Sequence, residues 1–95
     1  MIDVHYIALI HKDADSGYGV SFPDVPGVIA VADTLDDAIA EAAAVLAFAF
    51  EDEPNQQPTP RTLEALRQDE DFQAAAADAV VALVRPSAQY YHAAE

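Results

Sequence analysis

The sequence predicts an α+β domain whose elements run β-β-β-α-(α)-β and pack as a two-layer sandwich. Three observations lead there. Short apolar runs bounded by Gly, Pro and Asp fill the first third of the chain. One long alanine-rich stretch then carries helical periodicity, and a final apolar run, Val80–Val84, stops at Pro86. A chain of 95 residues has room for one core. Residues 1–86 therefore read as a single domain and 87–95 as a tail.

The first strand is expected over Val4–Ile10. Both of its alternating faces carry apolar residues (Val4, Tyr6, Ala8 and Ile10 against His5, Ile7, Leu9 and His11), so it reads as central or covered on both sides. A polar loop through Gly17 leads to a second strand, Tyr18–Phe22, and the pair reads as a β-hairpin. Pro23-Asp24-Val25-Pro26-Gly27 is a rigid turn, with Gly27 free to take φ > 0. A third strand is expected at Val28–Val31.

Thr34 is placed to cap a helix, with Asp37 three residues on in the position of a capping box. Asp36 and Asp37 also suit the positive end of the helix dipole. The helix is expected from Leu35 to about Glu51. Its periodicity puts Leu35, Ala38, Ile39, Ala42, Leu46 and Ala49 on the core face. Asp37, Ala40, Glu41, Ala44, Phe48 and Glu51 fall on the outer face, where Phe48 is the anomaly. After a polar, proline-containing loop, Thr59-Pro60 reads as a cap and first helical residue, opening a short helix to about Gln68. Asp69-Glu70-Asp71 interrupts or caps, further helical turns span Phe72–Ala77, and Val80–Val84 is expected to be a buried strand.

Composition narrows function. Lys plus Arg number 4 and Asp plus Glu 17, so the net charge is −13 and the pI about 4.1. Such a surface repels nucleic acid and anionic membranes, and attracts a basic protein partner. With no cysteine, disulfides, thiolate metal sites and a cysteine nucleophile are excluded. No signal peptide is evident, and the expected address is cytoplasmic. Asp3, Asp24, Asp33 and Asp36 are the carboxylates to weigh for a two-metal site, but a chain this acidic clusters acids by chance, and its strands carry no carboxylate in mid-strand. His5 and His11 lie about 20 Å apart along one strand, too far to share a metal. His92 stands in the tail without a partner in sequence. No phosphate loop and no nucleophilic triad can be assigned, and no metal or cofactor is expected.

The run Tyr18-Gly19-Val20-Ser21-Phe22-Pro23-Asp24-Val25-Pro26-Gly27, followed by Ala32-Asp33-Thr34-Leu35-Asp36-Asp37-Ala38, resembles the signature of the HicB-type antitoxins. The proline-rich loop (Pro54, Pro58, Pro60) and the closing strand before Pro86 are similar too, so the resemblance covers roughly residues 4–86. Where the family usually has glycine, this chain has Ala32. The resemblance implies a partially degraded ribonuclease H-like fold and a non-catalytic role. The implied partner is a small basic, HicA-like toxin that cleaves messenger RNA through a histidine, and the antitoxin covers its active face. Many members continue into a DNA-binding segment. The tail SAQYYHAAE has no Lys or Arg and no ribbon-helix-helix or helix-turn-helix pattern, so this chain is not expected to bind nucleic acid directly.

Candidate partner-binding residues are Asp24, Asp37, Glu41, Phe48 and Glu51. The residues of the structural motif are Phe22, Pro23, Asp24, Pro26, Gly27, Thr34 and Asp37. Phe48, set among Ala40, Ala44 and Ala47, is a candidate for self-association or toxin contact, and a homo-oligomer is expected. Two other classes remain open at this point: a residual metal-dependent nuclease on a ribonuclease H-like scaffold, and an orphan oligomeric domain without a toxin.

Overall fold

Side-chain alternation in the strands, more than any single motif, sets the layers. A computed structural model describes residues 5–12, 17–52 and 57–87. Its elements are β1 (Tyr6–Lys12), β2 (Tyr18–Ser21), β3 (Ile29–Ala32), α1 (Leu35–Asp52), α2 (Leu63–Leu66), α3 (Glu70–Ala76) and β4 (Val80–Val84). Asp3, Val4, the Asp13–Ser16 part of the first loop, Pro54, His92 and residues 88–95 lie outside the described residues.

The strands form one sheet in the order β3-β2-β1-β4, with every neighbouring pair antiparallel. Ile10 opposes Val20 and Val80, and Val20 opposes Ala30. Because opposed residues share a face, Tyr6, Ala8, Ile10, Val20, Ala30 and Val84 line one side. There they bury Ala38, Ala42, Ala43, Leu46 and Phe50 of α1. The alanines let the helix lie close to the sheet, and the rings of Tyr6 and Phe50 meet tilted, with centroids 5.4 Å apart.

The two-layer expectation is corrected on the other side. Ile7 and Leu9 point away from α1 and are buried against Leu66 and Phe72. Thus α2 and α3 lie on the opposite face, over β1, and the central strand is covered twice. The apolar residues at both parities of β1 anticipated that cover; where the short helices went did not follow from local sequence.

Other expectations shift for local reasons. Thr62, not Thr59, caps α2, its hydroxyl accepting from the Ala65 amide at 3.1 Å. Asp69 caps α3 through the Asp71 amide at 2.9 Å. Thr34 caps α1 as expected, accepting from the Asp37 amide at 3.1 Å. Ala44, placed on the outer face by periodicity, is buried. Leu35, assigned to the core face, is exposed because it opens the helix at the rim. The strand at Val80–Val84 is not buried. It is an edge strand in which only Val84 is fully covered, with Val80, Val81 and Leu83 all exposed.

Candidate interaction surfaces

The turn after β2 is the first candidate. Two successive backbone bonds close it: Val25 N–H to the Phe22 carbonyl at 3.1 Å and Val28 N–H to the Val25 carbonyl at 3.3 Å. Gly27 takes φ +94°, the left-handed region that a side chain disfavours. Phe22 and Val25 are buried, whereas Pro26 and Gly27 are exposed.

Asp24 does not offer its carboxylate to solvent. Its side chain is 8% exposed. It accepts from the Arg61 backbone amide at 2.7 Å and from Arg61 Nε at 2.6 Å. Arg61 also donates to Asp69 at 3.3 Å. One of the chain's four cations thus joins the turn, the approach to α2 and the cap of α3. The paired carboxylates raise the Arg61 pKa. Asp69 is held below the usual carboxylate value, first by the Asp71 backbone amide and then by Arg61. Tyr6 donates to the Pro58 carbonyl from the same neighbourhood, and its pKa is raised by burial and by the charge of Asp24. The site-binding candidate Asp24 is therefore engaged inside the fold. The signal for its partner, an arginine 37 residues away, is not local.

The outer face of α1 is the second candidate. Asp37, Glu41, Phe48 and Glu51 are all exposed on it, with Phe48 at 59%. A carboxylate-flanked aromatic is suited to a partner that offers cations around an apolar pocket.

Two further surfaces were missed by sequence reasoning. On the face away from α1, β3 exposes Ile29 and Val31 while β4 exposes Val81 and Leu83. A groove of about 470 Å³ runs between β4 and the Pro60–Leu63 segment, lined by Ile7, Leu63, Val81 and Leu83 among others. Parity carried the signal, since Val81 and Leu83 share a face, but it could not say that they stay exposed among the described residues.

His11 Nε2 lies 2.9 Å from the Ala75 carbonyl, which can only accept, so this nitrogen carries the proton; Asp78 stands 3.8 Å away. Among the described residues no group of three or more His, Cys, Asp or Glu side chains gathers as a metal site. No helix among them is long and apolar enough to cross a membrane.

The family profile described as the HicB_like antitoxin of bacterial toxin-antitoxin system matches residues 6–91. The chain belongs to the HicB-like antitoxins. Its fold is similar to the crystal structure of the Burkholderia pseudomallei antitoxin HicB, with 34% identity and TM-score 0.69, covering 88% of this chain and 62% of that one. The HicB-like chain thus spans about three fifths of that antitoxin's length. Against the N-terminal domain of the same antitoxin the identity is 33% and the TM-score 0.71, covering 85% of this chain and 95% of that domain. A chain of the HicA3 and HicB3 toxin-antitoxin complex shares the fold at TM-score 0.66 and 21% identity, covering 85% of this chain and 95% of that one. No protein of curated function matches. The antitoxin relationship agrees with the excess of acids.

Proposed function

We propose that this chain is the toxin-binding part of an antitoxin. It holds a small basic HicA-type toxin by non-catalytic occlusion, in the cytoplasm, on a scaffold descended from a ribonuclease H-like fold. The observation that carries the reading is the outer face of α1 in a HicB-like chain: Asp37, Glu41 and Glu51 flank exposed Phe48, and the net charge is −13. The carboxylates speed capture of a cationic messenger-RNA-cleaving toxin, and Phe48 sets how long it stays. The turn contributes its exposed Pro26 and Gly27 rather than the carboxylate of Asp24, which Arg61 occupies.

The test is inhibition of RNA cleavage by a HicA-type toxin with increasing amounts of the chain, together with association rates at low and high salt. Cleavage should stop near stoichiometric addition. Glu41→Lys with Glu51→Lys should slow association about tenfold at low salt, while Phe48→Asp should speed dissociation. Circular dichroism checks that each variant stays folded. Undiminished cleavage in excess folded chain overturns the function, and full inhibition by all of these variants removes the α1 face from it.

A further inference from the structure

We propose that residues 88–95 lie as a strap across the outer face of α1, covering Ala44, and that a partner docking on this face must displace them. On a helix of 3.6 residues per turn, Ala44 points about 160° away from Ala42 and Leu46, both of which pack on the sheet. That direction leads away from the fold. Ala44 is nevertheless 1% exposed, and it belongs to neither of the two buried clusters. Its own helix does not hide it. Of the neighbours one turn away, Ala40 and Ala47 bring only methyl groups, Glu41 is exposed, and Phe48 is 59% exposed.

The path of the chain chooses this occupant. Pro86 has no amide with which to continue β4, and the Ser87 amide donates to the Ala43 carbonyl at 3.0 Å. The chain has thus left the sheet for α1, and it stands beside the residue that precedes Ala44. The sequence AQYYHAAE follows. Four extended residues reach about 14 Å, more than the width of a helix, about 10 Å. Tyr90 and Tyr91 therefore come within range of Ala44 and of Phe48, which stands about 6 Å further along the axis. The composition suits the place. Alanine and tyrosine add no charge to an acidic face, and Glu95 is the one acid of the segment. A tyrosine buries its ring while its hydroxyl stays in water. The displacement rests on the functional reading above, in which the toxin docks on α1; the strap itself does not.

The chain has no cysteine, so one introduced thiol reports the cover. In Ala44→Cys, reaction with a disulfide reagent should be about tenfold or more slower than in Glu41→Cys, at an exposed position. Adding Tyr90→Ser and Tyr91→Ser to both should bring the two rates within about twofold of each other. Should Ala44→Cys fail to fold, nuclear Overhauser contacts in the unsubstituted chain answer the same question: the Ala44 methyl is expected to meet the rings of Tyr90 and Tyr91. Equal thiol rates at the two positions overturn the proposal, as does protection that survives both serines. Contacts from the Ala44 methyl to residues 1–4 instead overturn it as well. These readings need no toxin and hold whether or not the chain is an antitoxin. With a HicA-type toxin, the two serines should speed association about tenfold. An unchanged rate beside a protected Ala44 overturns the displacement, and a toxin that does not bind at all overturns the functional reading alone.

Discussion

Arg61 is the residue on which three segments converge. Its backbone and Nε engage Asp24, and its terminal nitrogen reaches Asp69. A lysine could not reproduce both engagements, because the guanidinium offers several fixed donors and the ammonium only a point. The titration of these neighbours contributes to the pH dependence of stability. Asp69 has a lowered pKa in the fold, so its contribution is present above the ordinary value of 3.8 and disappears as pH falls through the lower folded value. Tyr6 has a raised pKa; its contribution is complete below 10.0 and disappears as pH rises through the higher folded value. Denaturant midpoints measured across pH should therefore hold a plateau between these limits. Asp69→Asn should flatten the acid limb and Tyr6→Phe the alkaline limb. Unaltered limbs in both variants would remove these two groups from the account.

At the scale of elements, the cover formed by α2 and α3 hangs on few side chains. Leu66 and Phe72 are its buried anchors over Ile7 and Leu9. Phe72→Ala should destabilise the protein by about 3 kcal/mol through lost burial and a residual cavity. Amide exchange should rise first in α2 and α3 while the hairpin of β1 and β2 keeps its protection. Uniform loss of protection would mean that the cover and the sheet unfold as one unit.

The same elements mark what was legible in sequence. The hairpin, the Pro-Asp-Val-Pro-Gly turn, the Thr34 cap and the central position of β1 could be read because each depends on neighbours within a few residues or on strand parity. The edge position of β4 could not, since an all-apolar run looks the same in the middle of a sheet and at its margin. The Thr62 cap was missed because Thr59-Pro60 offers an equally good local pattern. The exposed carboxylates and Phe48 on α1 followed from helical spacing, whereas the capture of Asp24 by Arg61 depends on a long closure of the chain.

For the whole molecule, charge opposes compactness. Cations number 4 against 17 acids, and Arg61 is shared between two of those acids. Self-repulsion on this scale is long-ranged and screened by salt. The melting temperature should rise between 20 and 500 mM sodium chloride or about that span, while association with a cationic toxin should slow over the same range. Differential scanning calorimetry and stopped-flow association read the two trends. A melting temperature independent of salt would show that repulsion is already relieved by local pairing.

The register of the sheet also sets an order of events in synthesis. Tyr6 pairs with Val84 and Ile10 with Val80, so the strand made first waits for the strand made last. The intervening β2, β3 and α1 can assemble on β1 as they leave the ribosome, since most of their contacts are with earlier neighbours. One margin of β1 meanwhile stays bare until residue 84 has emerged. Non-local closure of this kind is slow compared with hairpin formation. The chain therefore passes through an interval in which an unfinished sheet shows one edge of the strand that ends up most buried to chaperones and proteases, and removal of Val80–Val84 by a protease would return the finished molecule to that state.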